Sequence, residues 1–538
     1  MDHSAVGKGD YIELRRLLSA GLPEFLAKQR WFGGKARQIL STDIADAIPM
    51  RCDAFEALLL VVHVNYAGGN EEMYAVPVLC VEQPSSAPQD DSAVLRIPDD
   101  QTGTAFQVKD ACKTDEFLVM LLDTIRHAAA FQGQRGKLRG LPSTEFARLY
   151  SGSEVVLKPR RLAGEQSNTS VIYGDRLILK FFRRFEEGIN PDLEICEFLT
   201  EKAHFPHVPQ LAGYLDYRTA DGKQMTQGIL QAFVPNQGDA WRYTLKSLAR
   251  FYEDLAKHGG ATRNPIGACD DLETNAEIPE FTRASVEPYL SQVALLSKRT
   301  AELHLALASQ TNDPAFAAEP FDMPFQQVLR ESLLELTHTT LNLLREQLPQ
   351  LPVAWRNRSE QIGNRGEEIS ERFRFLLSAP IRAMRTRTHG DYHLGQVLYT
   401  GSDFVIIDFE GEPARPLSER RVKRSPLQDV AGMMRSFHYA AFAPLLGASG
   451  DKSVSAAVLK RLTPWAEAWN AWVTNRFLTE YFKASGSAVY LPSGHEERRN
   501  LLELHLLEKA IYELRYELNN RPTWVGIPLE GIARLLSV

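Results

Sequence analysis

No stretch of this chain stays apolar for longer than "ALLLVV" at 57–62, which is too short to span a bilayer. The N-terminus, "MDHSAVGKGD", is polar and has no basic-then-apolar leader. Basic residues are not in excess: 61 Lys and Arg stand against 68 Asp and Glu, a net charge of −7, with no long basic run. That argues against a dedicated nucleic-acid binder, which carries a basic footprint. Cysteine is scarce and odd in number (Cys52, Cys80, Cys112, Cys196, Cys269), with no C-x-x-C pair and no Cys/His ligand spacing. The expectation is reduced thiols in a cytoplasmic protein, with no disulfide framework and no structural zinc. There is no internal repeat and no low-complexity tract. What remains is ordinary globular composition, 44% hydrophobic and 24% charged, over 538 residues. That is more than one core usually serves, and it predicts two to four domains or lobes.

Residues 1–37 read as helical and end in "QRWFGGKAR", where Gly33-Gly34 is a breaker and Trp31-Phe32 a docking anchor. Strand patterns follow over 42–80, with "AGGN" as the turn between "EALLLVVHVNY" and "EEMYAVPVLCVE". A polar linker is expected at 83–93, then a helix from 110 with Asp115 near its start. The stretch 154–182 reads as three short strands, "NPDLEICEFL" as a helix with Asn190 as N-cap and Pro191 at its first position, and "GILQAFVP" as a further strand. Beyond Asn236 the pattern is mostly helical. The expected domains are 1–90, a small α+β module; 91–150, an intermediate helical subdomain; 151–236, a β-rich lobe; and 237–538, a mainly helical lobe.

The chemistry concentrates in "RTHGDYHLGQVLYTGSDFVIIDFEGEP" at 387–413. "FVIID" is an apolar strand that delivers Asp408 at its end. Asp391 and, five residues on, Gln396 precede it. Mg²⁺ takes oxygen ligands and leaves positions for phosphate and water. Asp408 and Gln396 then suit a magnesium site, and Asp391 suits the proton acceptor of an attacking hydroxyl, the division of labour in phosphoryl transfer. His389 and His393 lack a third ligand at zinc spacing. Upstream, "LILKFF" puts Lys180 inside a strand, where a lysine needs a counter-charge or phosphates. Glu194 on the following helix is the expected partner, with Glu197 the alternative one turn on. "GEQSNTS" at 164–170, with Gln166, Ser167, Asn168 and Thr169, is rich in donors and suits a loop over phosphates.

The layout resembles the aminoglycoside-phosphotransferase-like branch of the protein-kinase-like fold, and within it the bacterial maltokinases. The resemblance is nearly full length. It is carried by "LPEFLAKQRWFGGKAR", "GEQSNTSVIYGDRLILKFFRR", "RTAELHLAL", "HGDYHLGQVL", "VIIDFEGEPARPLSERRVKRSPLQDVAGMMRSFHYAA" and "EKAIYELRYELNNRPTWVGIPLEGI". It implies a bilobal α+β fold with an N-terminal cap domain, and ATP-dependent conversion of maltose to maltose 1-phosphate for α-glucan synthesis. By motif, Asp391 would be the catalytic base, and Gln396 and Asp408 would bind Mg²⁺ with Glu410 as a possible third ligand. Lys180 would hold the nucleotide phosphates and Glu194 would hold Lys180. Backbone atoms near Gln231, Phe233 and Val234 would meet adenine, with Asp239 near the ribose. The chain departs from the wider kinase pattern in having Gln396 where Asn is usual, and Phe-Glu-Gly where Phe-Gly is usual.

For the sugar, the C-terminal helix offers Glu508, Lys509, Tyr512, Glu513 and Tyr516 at spacings that share a face, with aromatic rings for the sugar and charged groups for its hydroxyls. His393 and Arg420 are further candidates. Lys423, Arg424 and Arg435 either neutralise phosphate or pair with Asp429 or Glu419. His304 reads as a buried packing or hydrogen-bonding residue. Two other readings stay open: a kinase of another small sugar such as glucosamine, and a non-catalytic partner of trehalose synthase. No nucleic acid and no membrane is expected among the partners.

Overall fold

The run "EALLLVVHVNY" is continuously apolar because its strand is covered on both faces. In the computed structural model, β1 (Ile39–Cys52), β2 (Phe55–Tyr66), β3 (Glu71–Pro84), β4 (Ala93–Asp99) and β5 (Thr104–Asp110) form an antiparallel sheet in the order β1-β2-β3-β5-β4. Leu60, Val62 and Val64 of β2 pack with Leu22 and Phe25 of the helix Lys8–Lys28 and with Trp31 and Phe32. Leu59 and Val61, pointing the other way, pack with Phe117 and Leu121 of the helix Asp115–Arg126. The alternation of a strand thus feeds two cores at once. Described are residues 8–52, 55–84, 93–99, 104–150, 157–162, 167–257, 278–309, 312–413, 415–446 and 456–537. By internal contacts the chain divides into two units, Met1–Pro235 and Asn236–Val538.

The first unit holds a second sheet. It runs β6-β7-β12-β13-β10-β9-β8, built from β6 (Ala130–Gln132), β7 (Gly136–Pro142), β8 (Pro159–Arg161), β9 (Asn168–Tyr173), β10 (Leu177–Phe182), β12 (Leu211–Thr219) and β13 (Gln224–Ala232). The short β11 (Arg184–Phe185) leaves it to pair with β3 of the first sheet. The stretch 91–150, expected to be helical, supplies β4 to β7 as well as the helix.

Two buried aspartates join the sheets. Asp46 of β1 accepts from the Tyr217 hydroxyl at 2.8 Å and from the backbone N–H groups of Gln134 and Arg135. Asp110, at the end of β5, accepts from both terminal nitrogens of Arg183, at 2.9 and 3.3 Å. The Arg183 guanidinium also lies 4.8 Å over the Trp31 ring, so the tryptophan expected to be an anchor is one.

The second unit is mainly helical. Its long helices include Ala240–Lys257, Glu280–Leu307, Met323–Gln347, Leu427–Phe442, Ala456–Ser485 and His495–Asn520. One hairpin, Val397–Tyr399 with Phe404–Ile406, interrupts them. Among the described residues no helix is long and apolar enough to cross a membrane.

Candidate active site

In the first unit the alternation of "LILKFF" buries Leu177, Leu179 and Phe181 and turns Lys180 to the other face of β10. There its ammonium lies 3.0 Å from Asp192 Oδ2. Asp192 stands in the first turn of the helix Pro191–Glu197. Asn190 caps that helix, accepting from the Asp192 N–H at 2.8 Å, with Pro191 following at the first position. A fully buried carboxylate in a first helical turn is favoured by the helix N-terminus and neutralised by the lysine. Glu194, the partner expected from the sequence, stands two residues on in the same helix and is also buried; Asp192 was not anticipated. The available signal was the N-cap itself, which fixes which carboxylate opens the helix.

The other expected nucleotide residues of this unit are placed as follows. Gln166 lies outside the described residues. Ser167 precedes β9 and is exposed; Asn168 opens the strand, opposite Phe182. The Thr169 hydroxyl oxygen accepts from Arg183 Nε at 2.9 Å. Gln231 donates to Cys196 Sγ at 3.1 Å, and the Phe233 N–H donates to the Arg176 carbonyl at 2.7 Å, so that amide is used within its own unit. Val234 follows just beyond β13.

In the second unit, Asp239 caps the helix Ala240–Lys257, its Oδ1 accepting from the Arg242 N–H at 2.7 Å. The loop 389–396 is pinned from beneath by the helix Leu427–Phe442. Asp429 Oδ2 accepts from the His389 N–H at 2.7 Å and Oδ1 from the Gly390 N–H at 3.0 Å. Ser436 Oγ accepts from the Leu394 N–H at 3.1 Å. Asp429, one of two carboxylates read as alternative partners for the basic residues 420–435, holds loop amides and His304, the latter at 3.2 Å. His304 is fully buried, as read, with Tyr481 on its other nitrogen at 2.8 Å. Burial works against the Asp429 charge, but His304, His389 and the Gly390 N–H outweigh it and hold its carboxyl below the usual range.

His389 is a strut. Its Nε2 donates to the Ile407 carbonyl at 2.9 Å, which leaves Nδ1 to accept from the Asp391 N–H at 3.4 Å. Gly390 has φ +85°, and an added Cβ would stand 3.3 Å from the Cα of Gly411, so the two Gly-bearing turns close on each other.

Gln396 and Asp408 come together through the hairpin register. Val397 pairs with Ile406, and the Ile407 N–H donates to the Gln396 carbonyl, which sets Asp408 just beyond Gln396 across the ladder. Asp408 takes φ +70°, a left-handed backbone that aspartate tolerates better than most residues and that clusters at functional sites. Glu410 follows, its carbonyl accepting from Arg420 at 3.2 Å. This is a hard, all-oxygen donor set, and it fits Mg²⁺.

Asp391 faces a small pocket lined among others by Glu412, Arg415, Glu508, Lys509 and Tyr512. The Lys509 ammonium lies 3.1 Å from Asp391 Oδ1, 3.5 Å from Glu412 Oε1 and 4.9 Å over the Tyr512 ring. Burial would raise the Asp391 carboxyl; the Lys509 charge, then the histidines His393 and His389, more than reverse this and hold it below its ordinary range. Arg415 donates to Glu412 at 2.7 Å and approaches Glu508 at 3.9 Å. Glu508 accepts from His505 Nδ1 at 2.9 Å, and despite its burial that contact and the nearby arginines hold it at about 2. His393 stands 3.9 Å from Asp391, with burial pushing its imidazole toward the neutral form.

Of the expected sugar residues, Lys509 and Tyr512 line this pocket. Glu513 and Tyr516 do not: Glu513 is bound by Arg435 at 2.7 and 2.8 Å, and Tyr516 is 46% exposed with Arg521 over its ring. Lys423 is taken up by Glu319 at 2.8 Å. The sequence reading missed Glu412, Arg415, Gln428 and His505 as pocket residues. Glu412 and Arg415 stood in the quoted motif run, and their spacing of three was the one local signal.

Residues 25–113 match the maltokinase N-terminal cap domain. A glucosamine kinase of Mycolicibacterium smegmatis is 26% identical over 395 residues, 73% of this chain and 83% of the relative. A glucosamine kinase of Streptacidiphilus jiangxiensis is 24% identical over 422 residues, 77% and 81% of the two chains. Among solved structures, glucosamine kinase in crystal form B superposes with a TM-score of 0.61 at 18% identity, covering 97% of this chain and 99% of that one. Glucosamine kinase in complex with glucosamine, ADP and inorganic phosphate superposes with a TM-score of 0.59 at 18% identity, covering 96% and 98%. The fold is therefore the α+β kinase-like fold with an N-terminal cap that the sequence resemblance implied.

Proposed function

We propose that this chain, a kinase fold bearing a maltokinase cap, transfers the γ-phosphoryl group of ATP to a hydroxyl of a neutral sugar, with maltose as the acceptor and maltose 1-phosphate as the product. The observation that carries the reading is Asp391, fixed by a buried strut and anchor and turned into a polar pocket shared with Lys509, Glu412 and Tyr512. Phosphoryl transfer asks little covalent chemistry of the protein and much positioning. Asp391 orients the acceptor hydroxyl and takes its proton late; its lowered pKa keeps it ionised at neutral pH, so it can accept. Lys509 holds the carboxylate in place. Lys180, held by Asp192, offers its ammonium to nucleotide phosphates. Gln396, Asp408 and Glu410 would hold Mg²⁺, which when bound neutralises phosphate charge.

A neutral acceptor is supported by the partners that the carboxylates of the pocket already have. Asp391 and Glu412 hold Lys509, Glu412 also holds Arg415, Glu508 holds His505, and Asp429, on the same lining, holds the loop amides and His304. A second reading, glucosamine as acceptor, is favoured by the names of the two curated relatives. ADP release with Mg-ATP, measured against maltose, glucose, glucosamine and trehalose with phosphorus NMR of the product, separates the two. Turnover on maltose with an anomeric phosphate supports the proposal; preference for glucosamine replaces the acceptor and keeps the chemistry. Asp391→Asn should lower kcat on the order of 10²–10⁴-fold while nucleotide binding survives, and retained turnover sinks its role. A role beside trehalose synthase would show as co-elution of the two proteins.

A further inference from the structure

The pocket of Asp391 contains two buried polar atoms that have no partner among the described residues. His505 is 3% exposed, and its Nδ1 lies 2.9 Å from Glu508 Oε2. A carboxylate only accepts, so Nδ1 carries the proton, and in the neutral imidazole Nε2 presents a lone pair. That Nε2 has no hydrogen-bond partner among the described residues. Gln428, in the first turn of the helix Leu427–Phe442, has its Oε1 buried without a partner as well. Both residues line the pocket. A buried acceptor left unpaired is destabilising, and such groups in folded proteins are normally matched by protein, water or ligand. Here the neighbouring donors are already engaged: Lys509 with Asp391 and Glu412, and Arg415 with Glu412 and Glu508.

We infer that His505 and Gln428 form the wall of the pocket that recognises the acceptor, each taking a hydroxyl of a neutral sugar. The inference rests on the sugar-kinase reading above and narrows it to a polyhydroxy acceptor whose O–H groups supply the missing donors. A hydroxyl satisfies these sites without adding charge to a pocket whose carboxylates already have partners. Both atoms are shut from solvent, so the sugar reaches them by displacing pocket side chains rather than by filling an open cleft. A site built to hydrogen-bond substrate hydroxyls discriminates strongly against analogues that lack them.

The test is steady-state kinetics with separate KM values for sugar and ATP, in wild type, Gln428→Leu, His505→Phe and His505→Gln, each checked for folding by thermal melting. Gln428→Leu leaves Glu508 and its ion pairs untouched. His505→Gln keeps both a donor for Glu508 and an acceptor for the sugar. Expected are sugar KM values raised on the order of tenfold in Gln428→Leu and His505→Phe, unchanged ATP KM, and partial recovery in His505→Gln. Unchanged sugar KM in folded Gln428→Leu and His505→Phe overturns the wall and leaves the sugar-kinase reading standing. If wild type turns over no sugar, saturation-transfer NMR with maltose and a non-hydrolysable ATP analogue decides. Binding to wild type that Gln428→Leu loses keeps the wall and fells the kinase reading; absence of binding overturns both.

Discussion

Lys509 stands between Asp391 and Glu412, its ammonium 3.1 Å from one carboxylate and 3.5 Å from the other. The pair of acids keeps the lysine charged well above its ordinary pKa, and the lysine in turn holds Asp391 ionised. Lys509→Met therefore removes the cation that lowers the Asp391 pKa, so that pKa rises. With Asp391 as the proposed base, wild-type turnover is expected to fall as pH drops through the Asp391 pKa, and in the variant this acid limb moves to higher pH. At neutral pH kcat/KM should fall on the order of 10²-fold. A pH profile of kcat/KM checks both; an unmoved acid limb would separate Lys509 from Asp391.

The local pattern of the candidate site was legible in the sequence: an apolar strand, Phe404–Ile406, running toward Asp408, the spacing of five from Asp391 to Gln396, and the alternation that turns Lys180 out of a core strand. The contact of Lys180 with Asp192 was not: the Asn190 cap places Asp192 in the first turn of its helix, but its reach to Lys180 depends on how that helix is set against β10. Glu513 was drawn toward the sugar because it shares a helical face with Lys509, yet Arg435 on a neighbouring helix claims it. His505 and Gln428 carry no local signature; only the packing of two helices puts them in the wall of the Asp391 pocket. The first sheet takes β4 and β5 from beyond residue 90, after the polar run that was expected to be a linker.

Asp408 carries a strained backbone, φ +70°, on the residue that would bind metal. Alanine there would mix strain with ligand loss. Asparagine tolerates the left-handed region and removes only the charge. Asp408→Asn is expected to melt close to wild type, yet to lose the gain in nucleotide affinity that Mg²⁺ confers. Titrating ATP with and without Mg²⁺ reads this directly, and a full magnesium effect in the variant would remove Asp408 from the site.

Asp429 carries stability with a predictable pH dependence. Its folded pKa is lowered, so its contribution is present above the ordinary carboxylate pKa and is lost as pH falls through the lower, folded value. Asp429→Asn keeps the shape but replaces one charged acceptor oxygen by a donor facing the loop N–H groups or His304. A loss of about 2–4 kcal/mol at pH 7 is expected, shrinking under acid conditions where the wild-type aspartate protonates. Urea denaturation of the two proteins at pH 7 and pH 3 measures the difference at each end. An equal gap at both would mean that the charge is not what holds the loop.

Arg183 ties the two sheets of the first unit through Asp110, at 2.9 Å with both side chains almost fully buried, and through the Trp31 ring. Cutting one partner from such a pair leaves the other charge stranded, whereas removing both leaves only a packing change. Arg183→Met should therefore cost about 3–5 kcal/mol, and the double variant Arg183→Met with Asp110→Leu should recover a substantial part of it. The tie would be refuted if the double variant were as unstable as the sum of the singles in urea denaturation, since additivity means the two residues do not act on each other. Trp31→Leu, which removes the ring beneath the guanidinium but strands no charge, is expected to cost less than Arg183→Met. The order of the three variants then separates the ion pair from the aromatic contact in holding the cap sheet to the second sheet.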